Sequence, residues 1–296
     1  MSNDAVEKDM TEGLPSSDTP THIARRALLA RLDTTVEELG KPHRSDAGIH
    51  DMRKELKRAR AALRMLRECI GVVEYRRDNA LLRDAARPLT PIRDAKVSLQ
   101  TLEQLIAKKG ATPGGFLIRF RKILQGKRQL ARRQLRPAEL TAAARVLRGI
   151  RRRAAALPAG RLANPRAHGL EHAFKKARTA FALARRQGTD ENLHEWRKQT
   201  KYFANQLEMV LPFGSKLFEK SHERASQLSD CLGDDHDLAI LTEQIYEYAK
   251  GADAPTANED VRELIGCVGR RRKKLQRRAL CLGRRLHCGR AARYRP

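Results

Sequence analysis

This sequence predicts an all-α fold, and three observations carry the prediction. Leu, Ala, Arg, Lys and Glu dominate its 296 residues, and aromatics make up only 4%. That mixture favours helix over strand, because unbranched side chains lose little freedom on a helix while strands draw on branched and aromatic ones. Apolar residues recur every three or four positions over long stretches, with no period-two alternation to suggest a strand. The chain is 41% apolar, which argues against disorder as a whole.

Taken in order, residues 1–20 form a polar leader expected to be disordered. A first helix runs from His22 to Leu39 and is broken by "GKPHRSDAG". Ser45 or Asp46 caps the next helix, which ends near Gly71. Helical patterns follow over 76–87, 92–108, 115–135 and 138–157. "LPAGRLANPRAHG" reads as a linker, since Pro and Gly interrupt any regular element. Helices resume over 168–187, 190–211, 215–232, 235–250 and 258–286. The "DDHD" run around His236 reads as the acidic first turn of the helix over 235–250, complementing its dipole, in preference to a divalent-cation site.

The net charge is +26, from 61 Lys and Arg against 35 Asp and Glu. Self-repulsion of that size opposes compaction, so it points to a polyanionic partner. The five cysteines are scattered with no C-x-x-C pair, so neither a zinc site nor a disulfide framework is indicated. The N-terminus has no basic and apolar signal-peptide regions, and no apolar run approaches a membrane span. A cytoplasmic protein is expected.

An internal repeat organises the charge. "IHDMRKELKRARAALRML" from Ile49 matches "LHEWRKQTKYFANQLEMV" from Leu193 at an offset of 144 residues. "LTPIRDAKVSL" from Leu89 matches "LGDDHDLAIL" from Leu232 at an offset of 143, with Asp94 on Asp237. The first repeat spans 21–136, a connector 137–165 and the second repeat 166–286, followed by a basic tail, 287–296.

On a helix of 3.6 residues per turn, Met52, Leu56, Ala59, Leu63, Leu66 and Ile70 share one side. His50, Arg53, Lys57, Arg60 and Arg64 share the other, with Lys54 at its margin. In the second copy Trp196, Thr200, Phe203 and Leu207 form the apolar stripe. His194, Arg197, Lys198 and Lys201 form the polar one. Like charges three and four residues apart repel by a few tenths of a kcal/mol per pair, a cost that two faces turned on one polyanion would recover. Two such helices facing each other across a pseudo-twofold would line one channel with cations, which focuses the field on a linear polyanion.

The paired H-x-x-R-[KV]-x-x-[KR] signature, with the "RDAKV" and "LGDDHDLAIL" segments, resembles the CHAD domain, the conserved histidine α-helical domain, over about 20–286. The resemblance implies two four-helix bundles related by a pseudo-twofold, with a basic central cavity that binds inorganic polyphosphate. Carried over residue by residue, it places His50, Arg53, Lys57 and Arg60 in the first motif and His194, Arg197, Lys198 and Lys201 in the second. Lys54 and Arg64 extend the set by helical spacing, and Arg93 is a weaker candidate. No catalytic residue, metal ligand or cofactor is expected, and the chain reads as a stand-alone member. Nucleic acid, met through the basic tail, is the alternative partner, although the scarcity of aromatics leaves few stacking platforms. Association with polyphosphate or other storage granules is a further expectation.

Overall fold

A computed structural model describes residues 19–41, 45–109, 115–158, 169–213, 216–251 and 259–294. Every regular element among them is helical. Residues 1–18 of the expected leader and 159–168 of the expected linker lie outside the described residues.

The first half opens with α1 (Pro20–Gly40), whose N-cap Thr19 accepts from the His22 amide, with Pro20 supplying the preset φ of a first turn. Ser45 caps α2 (Asp46–Met65) in the same way, accepting from the Gly48 amide at 3.1 Å. The chain then makes a single turn, α3 (Arg67–Ile70), and breaks at Gly71, where φ is +94° and a side chain would be strained. Helix α2 therefore stops short of Gly71, and Ile70 sits half-buried on the separate turn. After it come α4 (Val72–Ala85), a 3₁₀ turn (Arg87–Leu89), α5 (Thr90–Lys109), α6 (Gly115–Gln134) and α7 (Pro137–Ala155). The second half holds α8 (Gly169–Arg186), α9 (Asp190–Val210), α10 (Lys216–Gly251) and α11 (Glu259–His287).

In the first half, α1 packs on α2 and α7, and α4 packs on α2 and α7. The stretch expected as a connector is thus a working member of the first bundle. Its Leu140, Leu147 and Ile150 are buried because they recur at helical spacing on the face toward α1 and α4. In the second half α8 packs on α9, α9 on α10 and α10 on α11. One large apolar cluster joins both groups through α2 and α9, from Leu28, Met52, Leu56 and Leu63 to Trp196, Phe203 and Leu207. A smaller cluster fastens α5 and α6 to α10 and α11 through Leu102, Phe116, Phe120, Leu241, Ile245 and Val261.

Two expectations change. The helices expected over 215–232 and 235–250 are one continuous helix, α10, and the "DDHD" run lies inside it rather than at an N-terminus. A single interior Gly costs only about 1 kcal/mol of helix propensity, so Gly233 does not stop it. The acids are held sideways: Asp235, 2% exposed, accepts from Arg272 Nε at 3.0 Å and from Gln276 Nε2 at 3.1 Å. The dipole account of these acids therefore falls. The expected basic tail, in turn, is folded in. Ala291–Tyr294 forms a 3₁₀ turn, and Tyr294 is 1% exposed among Phe174, Phe203 and Phe218. Its hydroxyl meets Ser221 Oγ at 2.9 Å. A large ring with a polar tip closes the end of the second bundle better than exposed cations would.

No described helix is long and apolar enough to cross a membrane.

Candidate anion-binding site at the α2–α9 seam

Helices α2 and α9 pack directly on one another. Gln206 Nε2 donates to the Ala61 carbonyl at 3.3 Å, a contact buried in the seam. Arg58 Nε donates to Glu208 Oε2 at 3.0 Å, and its Nη2 to Oε1. The Arg64 guanidinium lies over the Tyr202 ring, 3.7 Å from its centroid. Apolar burial from both helices fixes this contact, and it forces their cationic residues together.

The outcome is a cluster of like charges drawn from both halves of the sequence. Arg53 Nη1 donates to the Ala86 carbonyl at 3.1 Å and to Thr90 Oγ1 at 2.6 Å, which holds the guanidinium at the start of α5. Its Nε is buried without a hydrogen-bond partner. Arg93, one turn into α5, donates to Asp94 at 3.0 Å and reaches Asp237 of α10 at 3.6 Å. Arg197 sits against α10, where a Cβ added at Gly233 would stand 3.7 Å from its Nε. Lys57 lies between them. Burial, with Arg53, Arg93, Arg197 and Lys201 all bearing on it, pulls its ammonium from 10.5 down to about 7.

The neighbours shift for the same reasons. Burial lowers Arg197, against the attraction of Asp237 and Asp230. Burial also lowers Arg53, partly opposed by Asp94. Lys201 is lowered by desolvation and by Arg197, Lys54 and Arg58, with Asp230 opposing. Burial raises the Asp237 carboxyl in spite of Arg93 and Arg197. Asp94, Asp230 and Asp237 together fall short of the five cations Arg53, Lys57, Arg93, Arg197 and Lys201, so the cluster is electropositive. A cavity of ≈ 230 Å³ opens beside it, where Lys54, Lys57, Arg58 and Lys201 outnumber the acids Glu208 and Asp230.

The histidines flank one end. His194 and His236 have ring centroids 4.6 Å apart. Burial, Arg197 and His194 bring His236 to about 4. Desolvation and then Arg197 and Lys198 lower His194. His50 is lowered by partial desolvation and by Lys96, Arg93 and Lys54, with Asp51 opposing. All three rings are therefore held below the ordinary imidazole range and favour the neutral form at pH 7.

Of the residues expected at the site, Arg53, Lys54, Lys57, Arg197 and Lys201 converge, with His50 and His194 at their margin. Lys198 is exposed and pairs with Glu195 on its own helix. Arg60 and Arg64 turn toward α4, donating to Asn79 Oδ1 at 3.0 Å and to the Tyr75 hydroxyl at 3.2 Å. Arg93 is more central than its sequence standing suggested, because it bridges α5 to α10. The repeat carried a signal for it: at the 143-residue offset, Arg93 falls opposite His236, and both face Arg197. Among the described residues no group of three or more His, Cys, Asp or Glu is placed to hold a metal ion.

No curated protein matches the chain. A solved structure, the crystal structure of the CHAD domain from the plant Ricinus communis, is similar in fold, with a TM-score of 0.59 and 17% sequence identity. The similarity covers 94% of this chain and 95% of that one. The CHAD domain model matches residues 24–246, a span that holds both histidine-headed helices and the α5 and α10 segments packed around them. This chain belongs to the CHAD domain family.

Proposed function

We propose that the protein is a non-catalytic binder of inorganic polyphosphate, held by the cation cluster and cavity at the α2–α9 seam. One observation carries the reading: cations from opposite halves of the sequence, Arg53, Lys57 and Arg93 from the first and Arg197 and Lys201 from the second, meet in one partly buried cluster beside a cavity. That arrangement is costly when empty and is relieved by an anion. Lys and Arg donate charge-assisted hydrogen bonds to phosphoryl oxygens, and the neutral imidazoles of His50, His194 and His236 can add donors as they protonate.

The seam contacts support a pseudo-twofold arrangement of the site. At the repeat offset of 144, Arg58 corresponds to Tyr202 and Arg64 to Glu208. The two cross-seam pairs, Arg58–Glu208 and Arg64–Tyr202, are then one contact seen twice. Lys57 corresponds to Lys201, whose charge bears on it. A cluster built this way has no preferred direction, which suits a polymer of identical units.

The exposed row Lys273, Lys274, Arg277 and Arg278 on α11 favours a second reading, binding of nucleic-acid backbones. Competition separates the two. Submicromolar polyphosphate binding should survive duplex DNA at equal phosphate, and Arg53→Glu with Arg197→Glu should abolish it while circular dichroism stays unchanged. Equal competition by DNA, or a larger loss from Lys273→Glu with Lys274→Glu and Arg277→Glu, would favour the outer face of α11. Truncating the chain from residue 270 is not a usable test, because Leu275, Ala279, Leu286 and Tyr294 are core residues. A binder of this kind would sit naturally at polyphosphate granules in the cytoplasm.

A further inference from the structure

The C-terminal end of α2 carries a second cationic pocket, apart from the cluster around Lys57. A cavity of ≈ 310 Å³ lies there, between α2, α3, α4, α8 and α9. Arg64, Arg67, His172 and Lys176 all line it. Lys57 and Arg64 are seven residues apart on one helix, about 10 Å by helical rise, so the two sites are neighbours along α2.

Three features make this a built site rather than a patch of surface charge. Arg64 is fixed on both sides: Tyr202 lies under its plane at 3.7 Å, and the Tyr75 hydroxyl accepts from its Nε at 3.2 Å. Its two terminal nitrogens are left without a hydrogen-bond partner among the described residues, the fork that reads two phosphoryl oxygens at once. Arg67 Nε is buried with no hydrogen bond, and the nearest acid, Glu68, stands 3.7 Å away on a largely exposed side chain. Lys176 has no acidic partner among the described residues, whereas its neighbour Lys175 is bound to Glu171. Arg64, Arg67 and Lys176 all bear on the His172 ring, with only Glu68 opposing. Three cations, Arg64, Arg67 and Lys176, against the single carboxylate of Glu68 leave the pocket lining more positive than an internal phosphoryl unit, with one negative charge, requires.

We infer that this pocket binds a terminal phosphoryl group, the doubly ionised end of a phosphate chain. A terminal group has a second ionisation near pH 6 and carries close to two negative charges at neutral pH, with three oxygens free to accept. Identification of the ligand as a polymer end rests on the polyphosphate reading of the seam. The pocket itself needs only a terminal phosphoryl group, which tripolyphosphate, a chain end or orthophosphate would each supply.

The test uses the full chain and four probes: tripolyphosphate, long polyphosphate, long polyphosphate with both ends capped as phosphoramidates, and orthophosphate. Lys176→Glu should weaken tripolyphosphate roughly tenfold, the scale of one lost charge-assisted hydrogen bond. Arg186→Glu makes the same charge change on the same helix, ten residues beyond the pocket, and should do little. In the parent protein, capped long polyphosphate should bind more weakly than uncapped, and Lys176→Glu should erase that difference. Orthophosphate binding as tight as tripolyphosphate would make the pocket a free-phosphate site and overturn the chain-end assignment. Equal effects of Lys176→Glu and Arg186→Glu, or no effect of capping, would overturn it too. If long polyphosphate binds as well to Arg53→Glu with Arg197→Glu as to the parent, yet still loses affinity on capping and with Lys176→Glu, the seam reading falls and the pocket stands.

Discussion

Replacing Lys57 by Met should make the empty protein more stable and a poorer binder. The ammonium of Lys57 is desolvated and lies in the field of Arg53, Arg93, Arg197 and Lys201, which takes its pKa from 10.5 to about 7. At about 1.36 kcal/mol per pKa unit, the full shift corresponds to roughly 5 kcal/mol of penalty on the charged folded form. Water in the adjoining cavity screens part of this, so we expect about 2–3 kcal/mol to be recovered on removing the charge. Met keeps the stem length and apolar packing. The sign follows from the direction of the shift. The folded pKa lies below the unfolded one, so protonation favours the unfolded chain. The penalty is complete below about pH 7 and fades as pH climbs toward 10.5. Urea denaturation of parent and variant side by side should therefore give a stability gap that is largest at pH 6 and nearly closed by pH 10. Groups that do not interact with Lys57 cancel in that difference. A variant no more stable than the parent at pH 6, or a gap that does not change with pH, would refute the argument that the cluster is under charge strain.

Two further predictions follow from named contacts. At pH 8 Lys57 is mostly neutral in the empty site, so binding of a polyanion should draw in about one proton through it, and none through it at pH 6, where it is already charged. Calorimetry in buffers of different ionisation enthalpy would measure this, and subtraction of Lys57→Met should isolate it; zero difference at pH 8 would exclude the role. A Cβ added at Gly283 would lie 2.5 Å from Trp196 Cζ2 and 2.7 Å from Phe181 Cε2, whereas at Gly269 on the same helix nothing lies within 4 Å. Gly283→Ala should cost about 1–3 kcal/mol by overpacking, and Gly269→Ala should gain up to about 1 kcal/mol from helix propensity. Denaturant midpoints of the two variants should move in opposite directions.

Much of the fold was legible because helical periodicity is a local property. The apolar stripe of Met52, Leu56 and Leu63 is buried where spacing put it, and Ser45 caps α2 as its chemistry suggests. What local reading lost was decided across the chain. The run Gly233-Asp234-Asp235 looks like a break until Arg272 and Gln276, some forty residues on, are seen to hold Asp235 within a continuous helix. Tyr294 looks like part of a charged tail until Phe174, Phe203 and Phe218 surround it. The site divides in the same way. Spacing alone grouped Arg53, Lys57, Arg60 and Arg64 on one face, and the structure separates them, because Tyr75, Asn79 and Tyr202 draw the last two aside. Arg93 carried little weight alone, since its importance lies in a partner, Asp237, that is distant in sequence.

The uninterrupted length of α10 has a mechanical consequence. Its 36 residues make a strut of about 54 Å. One end packs into the second bundle, and the other is bolted to α5 and α6 by Leu241 and Ile245. Between those anchorages Asp237 ties it to Arg93. Scaffolding braced in this manner keeps the cation cluster in shape beforehand, so under the proposed function the conformational freedom surrendered on capture would belong to the visitor rather than the host.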